Sequence, residues 1–193
     1  MKNPIKIVGM GGATRTASTS EKALRYFLAG LEKRGASIEA FVGADLDFAI
    51  YDPYAKLTDP RALRFIEAVR GCDALVIATP VYHGSVSGLV KNAIDYLTPL
   101  ADDVRPYLTG RAVTCIAAGG GLPGAVGTLS ALRYTVHALR GWPTPMHIPI
   151  NSSAAPFNEA GTLLDAKLAK TFAAAEEDLW SFVSAMKSPA YAA

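Results

Sequence analysis

Three stretches of this 193-residue chain combine residue types that recognise small polar ligands. The first, Gly11 to Ser20, reads GGATRTASTS. Thr14, Thr16, Ser18, Thr19 and Ser20 supply hydroxyls and Arg15 a positive charge. It lies between a short apolar run, Ile5 to Met10, and a segment of helical periodicity that opens at Ser20. Backbone N–H groups at a helix start, hydroxyl donors and the helix dipole together make an anion site, and a turn this compact suits a terminal phosphate. A P-loop would need Gly-Lys-Ser/Thr, which is absent. A dinucleotide fingerprint on Gly9 and Gly11 would need Gly or Ala where Thr14 stands. The plain alternative is a polar turn with a Ser or Thr cap.

The second stretch is Pro80 to Gly88, PVYHGSVSG. Pro80 stiffens the chain, and Gly84 and Gly88 permit a tight path with close backbone approach. With Val81, Tyr82 and His83 it offers an apolar wall, flat rings and polar edges, which is what a planar ring ligand requires. The structural alternatives are a core tyrosine with its hydroxyl outward and a loop histidine without a role. The third stretch, Gly119 to Thr128, holds five glycines in nine positions, among them Gly119, Gly120 and Gly121. Such backbone can lie flat against a ligand, or simply form a mobile surface loop.

Alternating strands and helices must position these stretches. Strands are expected at Ile5 to Met10, Ser37 to Val42, Asp73 to Thr79, Arg111 to Ala118 and, weakly, Pro145 to Ile150, where prolines imply an edge. Helices are expected at Ser20 to Arg34, with Gly35 ending it, and at Pro60 to Arg70, capped by Asp59. Further helices should run from Gly88 to Leu97, Gly124 to Leu139 and Thr162 to Met186, with Leu164, Leu168, Phe172, Ala175, Leu179, Val183 and Met186 along the core face of the last. The tail from Lys187 should fray. This is an α/β doubly wound, mostly parallel sheet in a single domain spanning 1–193. In such a sheet ligands bind at the carboxyl ends of strands, and all three polar stretches leave strand ends.

Composition narrows the possibilities. Half the residues are apolar and the formal net charge is +2, which gives no reason to expect nucleic acid. No apolar run reaches the ~20 residues of a membrane helix. Cys72 and Cys115 lack metal spacing and suit buried thiols in a reducing compartment, so a cytoplasmic protein is expected. No Ser-His-Asp or metal constellation is visible, so no catalytic side chain and no metal are assigned. Met10, Met146, Trp142 and Trp180 read as packing. The apolar residues of the Gly88–Leu97 helix (Leu89, Val90, Ala93, Ile94, Tyr96, Leu97) exceed what one sheet face needs and suggest an association surface.

Three motifs carry a resemblance: the Thr-Arg-x-x-Ser-x-Ser turn, TPVYHGSVSGLVKNAIDYL (Thr79 to Leu97) and AAGGG after the fourth strand. In them the chain resembles the NAD(P)H-dependent FMN reductase family of the flavodoxin superfamily, over about residues 5 to 140. Gly-Gly-Ala-Thr opens the first turn where relatives more often show Gly-Ser. The resemblance implies a flavodoxin-like five-stranded sheet of order 2-1-3-4-5 with helices on both faces, FMN as flavin and NADPH or NADH as hydride donor. It implies phosphate contacts from Arg15, Ser18 and Ser20, the isoalloxazine against Pro80 to Gly84, and flavin contact from Gly119 to Gly121. It also implies dimers or tetramers. The electrons go on to a small-molecule acceptor, or leave with reduced flavin for a partner such as a flavin-dependent monooxygenase. The alternatives are a quinone or azo reductase that retains FMN, and a flavodoxin-type electron carrier, whose usual acidity the +2 charge does not match. A response-regulator receiver is excluded by Gly11 and Thr79, which stand where it needs acidic residues.

Overall fold

The computed structural model describes residues 4–188. The part of the expected frayed tail beyond Ser188 lies outside the described residues. Twelve regular elements follow one another: β1 (Lys6–Gly11), α1 (Thr19–Lys33), β2 (Ser37–Val42), α2 (Pro60–Gly71), β3 (Ala74–Tyr82), β4 (Ser85–Val86), α3 (Gly88–Asp95), β5 (Ala112–Gly119), α4 (Leu122–Ala138), β6 (Trp142–Pro143), β7 (Ile148–Asn151) and α5 (Ala166–Met186).

The strands are apolar almost throughout because both faces of the sheet are covered. Val8 and Met10 of β1, Leu75 and Ile77 of β3, and Val113 and Cys115 of β5 face α2, α3 and α4, packing with Phe41, Phe65, Val90 and Leu129. Their alternates Ile7, Val76, Ala78 and Ile116 face α1 and α5, packing with Leu24, Phe27, Phe172 and Leu179. Phe27, Phe65 and Phe172 are completely buried, so truncating any one to Ala should cost ~3–5 kcal/mol.

Local chemistry sets the helix ends. Gly35, at φ +95°, ends α1: its N–H donates to Glu32 O at 2.8 Å, and that of Ala36 to Leu31 O at 3.2 Å. Asp59 caps α2 by accepting from Arg61 N at 2.8 Å. The helix α4 starts at Leu122, two residues before the expected Gly124, because Pro123 fits a first helical turn. By contrast, α5 starts at Ala166, not Thr162. Leu164 keeps the helical spacing but donates its N–H to Pro156 O at 2.8 Å in an irregular segment and is 64% exposed. Asp165 then caps the true start, accepting from Lys167 N and Leu168 N.

The order β2-β1-β3-β5-β6 corrects the expected five-stranded 2-1-3-4-5 sheet. Seven strands are present among the described residues. The two-residue β4 folds back antiparallel on β3, and the edge beside β5 is divided between β6 and β7. Pro143, Pro145 and Pro149 explain the division, since proline cannot donate to a ladder. The main sheet pairings are all parallel. Two other readings also change. On α3, Val90, Ala93 and Ile94 are buried, as are Tyr96 and Leu97 just beyond it, so these residues are core and offer no association surface. Trp142 is 58% exposed and packs only at the surface, its ring 6.0 Å from that of Phe182.

Candidate functional site

At the carboxyl ends of β1, β3 and β5 the chain forms a hollow of about 320 Å³. Its walls hold Arg15, Ser18, Thr19 and Ser20 from the first turn, Pro80, Val81 and Tyr82 from β3, and Gly119 and Gly120 after β5. These are nine of the thirteen expected site residues; the other four, Thr14, His83, Gly84 and Gly121, do not line the hollow, though each adjoins a residue that does, or, for Gly84, is one removed from it.

The first turn leaves β1 through Gly11. A Cβ there would lie 1.8 Å from Ala78 O, so only glycine lets β1 pass this close to β3. Gly12 N–H then donates to Ala78 O at 3.0 Å. Ser18 caps α1, its Oγ accepting from Glu21 N at 3.3 Å and lying 3.2 Å from Ser20 Oγ. Both serines are buried. Arg15 is exposed at the rim and pairs with no carboxylate among the described residues. A helix start, two buried hydroxyls and one unengaged guanidinium therefore edge the hollow.

The second stretch is a hairpin rather than a loop. Pro80 continues β3 beyond its last partner on β1, the Gly11–Ala78 pair, so its missing N–H costs that ladder nothing. Tyr82 pairs with Ser85 across a two-residue turn, in which His83 (φ +52°) and Gly84 (φ +77°) both take left-handed conformations. A Cβ on Gly84 would meet nothing within 4 Å, so the turn demands its backbone freedom, not a lack of space. Buried Thr79 fastens the base of the hairpin: its Oγ1 accepts from Ser87 N at 3.0 Å and donates to Pro80 O at 2.8 Å. Tyr82 is 51% exposed, at the mouth.

After β5, Gly119 packs so tightly that a Cβ would sit 2.9 Å from the Val81 side chain. Ser153 Oγ donates to Gly120 O at 3.0 Å and secures the glycine run from outside. Three lining residues escaped the sequence reading: Ala13, Ala118 and Ser152. Ser152 had a usable signal, because Ser-Ser follows Asn151 at the end of β7 just as the polar turns follow β1 and β3, and Gly119 pairs with Asn151. Nothing in the first turn's own pattern marked Glu21. Its buried carboxylate accepts from Ala17 N at 3.0 Å and pairs with Arg25 at 2.8 Å.

Residues 5–155 match the NADPH-dependent FMN reductase family. The chain belongs to that family. As a member it is an oxidoreductase with FMN as its flavin and a nicotinamide nucleotide as reductant. It is 33% identical over 168 residues to an NAD(P)H-dependent FMN reductase of Pseudomonas aeruginosa, covering 86% of this chain and 89% of the relative. It is 30% identical to an FMN-dependent NADPH-azoreductase of Staphylococcus aureus, covering 81% of each chain. Among solved structures, a flavoenzyme NAD(P)H:(acceptor) oxidoreductase from Paracoccus denitrificans superposes with a TM-score of 0.74 at 23% identity, covering 93% of this chain and 96% of that one. Flavodoxins share the fold as well, so the architecture of this FMN reductase family member is flavodoxin-like, a parallel sheet with helices on both faces.

Proposed function

We propose that residues 1–193 form one FMN-binding domain whose flavin occupies the hollow at the ends of β1, β3 and β5. The observation that carries this reading is the convergence, in one 320 Å³ hollow, of a hydroxyl-rich helix start, the apolar Pro80–Tyr82 strand end and the Gly119–Gly120 backbone. The volume falls in the ~300–1,000 Å³ range of small-ligand clefts, and its two chemistries suit the two ends of FMN. Arg15, Ser18 and Ser20 hold the phosphate, with Thr14 and Thr19 beside them. Pro80, Val81 and Tyr82, with His83 and Gly84 at the hairpin tip, would hold the ring system, together with Gly119 to Gly121. FMN held there would supply the redox chemistry, with NADPH or NADH as the hydride source. The chain's own part is to orient the ring, exclude water along Val81 and supply fixed N–H dipoles. No side chain in the hollow needs to transfer a proton.

The electron acceptor is a small molecule, reduced directly or through released flavin that a monooxygenase consumes. The relationship to the Staphylococcus aureus enzyme gives the second reading, an azo or quinone reductase that retains FMN. Steady-state rates with free FMN, a quinone and an azo dye, each with NADPH and with NADH, separate the two. Turnover of free FMN with saturation kinetics supports the reductase; rapid dye reduction by tightly bound FMN supports the other.

The protein works as a homodimer or homotetramer in the cytoplasm. Support for association comes from α4, whose outer face exposes Leu122, Val126 and Tyr134. Its only Lys or Arg, Arg133, is turned aside to Thr144 O, and the helix has no acidic residue. The two buried free thiols fit a reducing compartment. No helix among the described residues is long and apolar enough to cross a membrane.

A further inference from the structure

The phosphate turn contains a feature at odds with anion binding: a carboxylate. Glu21 stands in the first turn of α1, its side chain only 12% exposed. One oxygen accepts the N–H of Ala17 at 3.0 Å; the other takes Nε of Arg25 at 2.9 Å and a terminal nitrogen of Arg25 at 2.8 Å. Ala17 is held in the left-handed region, φ +54°, which a residue with a Cβ rarely adopts. Immediately after it come Ser18 and Ser20, the buried hydroxyls that face the hollow. Glu21 and Arg25 themselves face away, into a separate hollow of about 390 Å³ beside Tyr26 and Glu159 to Gly161. The carboxylate thus sits behind the turn, between Ala17 and Arg25.

We infer that Glu21 and Arg25 are positioning residues for the flavin phosphate. Glu21 clamps the Ala17 peptide so that Ser18 and Ser20 present their hydroxyls together. Arg25 cancels the charge that this clamp brings near an anion. Neither residue touches the ligand. The inference rests on the assignment of FMN to the 320 Å³ hollow. Its signature is electrostatic: removing Arg25 leaves an unpaired carboxylate beside a phosphate dianion, whereas removing both charges does not.

The test is a set of flavin titrations with FMN and riboflavin on wild type, Arg25→Ala, Arg25→Lys, Glu21→Gln and the Glu21→Gln/Arg25→Ala double variant. Thermal melts of each confirm that it folds. Wild type should prefer FMN. Arg25→Ala should weaken FMN by about tenfold, as expected for an uncompensated charge in a partly buried site, and leave riboflavin unchanged. Arg25→Lys should keep most of the FMN affinity. The double variant should bind FMN better than Arg25→Ala alone, because glutamine still accepts the Ala17 N–H without charge. A merely structural role would lower both flavins in parallel. That result, an unaffected Arg25→Ala, or a double variant no better than Arg25→Ala overturns the inference while the phosphate site stands. Equal affinity of wild type for FMN and riboflavin overturns the phosphate site and this inference with it.

Discussion

Arg15 and Ser18 divide two effects that their neighbourhood in sequence would blur. Arg15 is exposed and supports nothing else in the fold, so Arg15→Ala should weaken FMN by roughly 1–3 kcal/mol, the range of a charge-assisted hydrogen bond, without changing the melting temperature. Ser18 is also the cap of α1, so Ser18→Ala should weaken FMN and cost about 1 kcal/mol of stability besides. Riboflavin titrations and urea melts distinguish the two, and loss of riboflavin binding in Arg15→Ala would count against the phosphate assignment. Gly84 makes a different point. Gly84→Val forces a β-branched residue to φ +77°, a cost of ~1–3 kcal/mol at the hairpin tip, while Gly84→Asn suits that conformation and meets open space. Near-normal FMN affinity in Gly84→Asn with impaired binding in Gly84→Val is expected; equal loss in both would show that the flavin needs the space itself. The grouping of the Ser18 and Ser20 hydroxyls, Arg15, Gly119 and Gly120 around one hollow was legible because residue type and position after a strand suffice to place them there. Glu21 was not, because its place depends on contacts to Ala17 and Arg25 that local pattern does not encode.

At the scale of elements, periodicity located the strands and helices, and local chemistry corrected their ends. The Gly35 and Asp59 termini were readable from single residues. The β3–β4 hairpin was missed because Pro80 reads as a strand breaker, and only the pairing of β1, which stops at Ala78, shows why a proline is tolerated there. The excess apolar surface of α3 was misassigned because its second contact, the segment before α2, carries no helical or strand pattern. Asn92 accepts from Tyr51 N at 2.8 Å, and Tyr96 donates to Ala49 O at 3.1 Å, so that segment covers α3. The thiols at the end of α2 and within β5 give a prediction about pH. Burial pushes Cys72 up to about 11, with nearby Arg111 opposing it, and pushes Cys115 up to about 12. Folded-state values above the unfolded one of 9.0 mean that the unfolded chain releases protons first as pH rises. The thiols cost no stability below about pH 9 and reduce it progressively between there and about 11 to 12. Urea midpoints across that window should fall, and fall less in Cys72→Ala relative to its own value at neutral pH. Both thiols should also resist alkylation in the native protein and react once it is unfolded.

For the whole molecule, the doubly wound class and the placement of a site at the strand ends followed from the alternation of elements. The strand count did not, because an edge divided by prolines leaves no periodic trace. The proposed quaternary state rests on the exposed face of α4. Val126→Glu places a charge in the middle of its exposed apolar stripe and should shift the oligomer toward monomer in light scattering, leaving the melting temperature of the protomer near its original value. An unchanged mass would move the interface elsewhere. The divided edge also limits where copies of this chain can meet. With Pro143, Pro145 and Pro149 within seven residues, that border has few amide hydrogens to offer, and an incoming strand would find a ladder with missing rungs. Sheet-to-sheet polymerisation is thereby discouraged on this side at any concentration, a built-in guard against cross-β stacking.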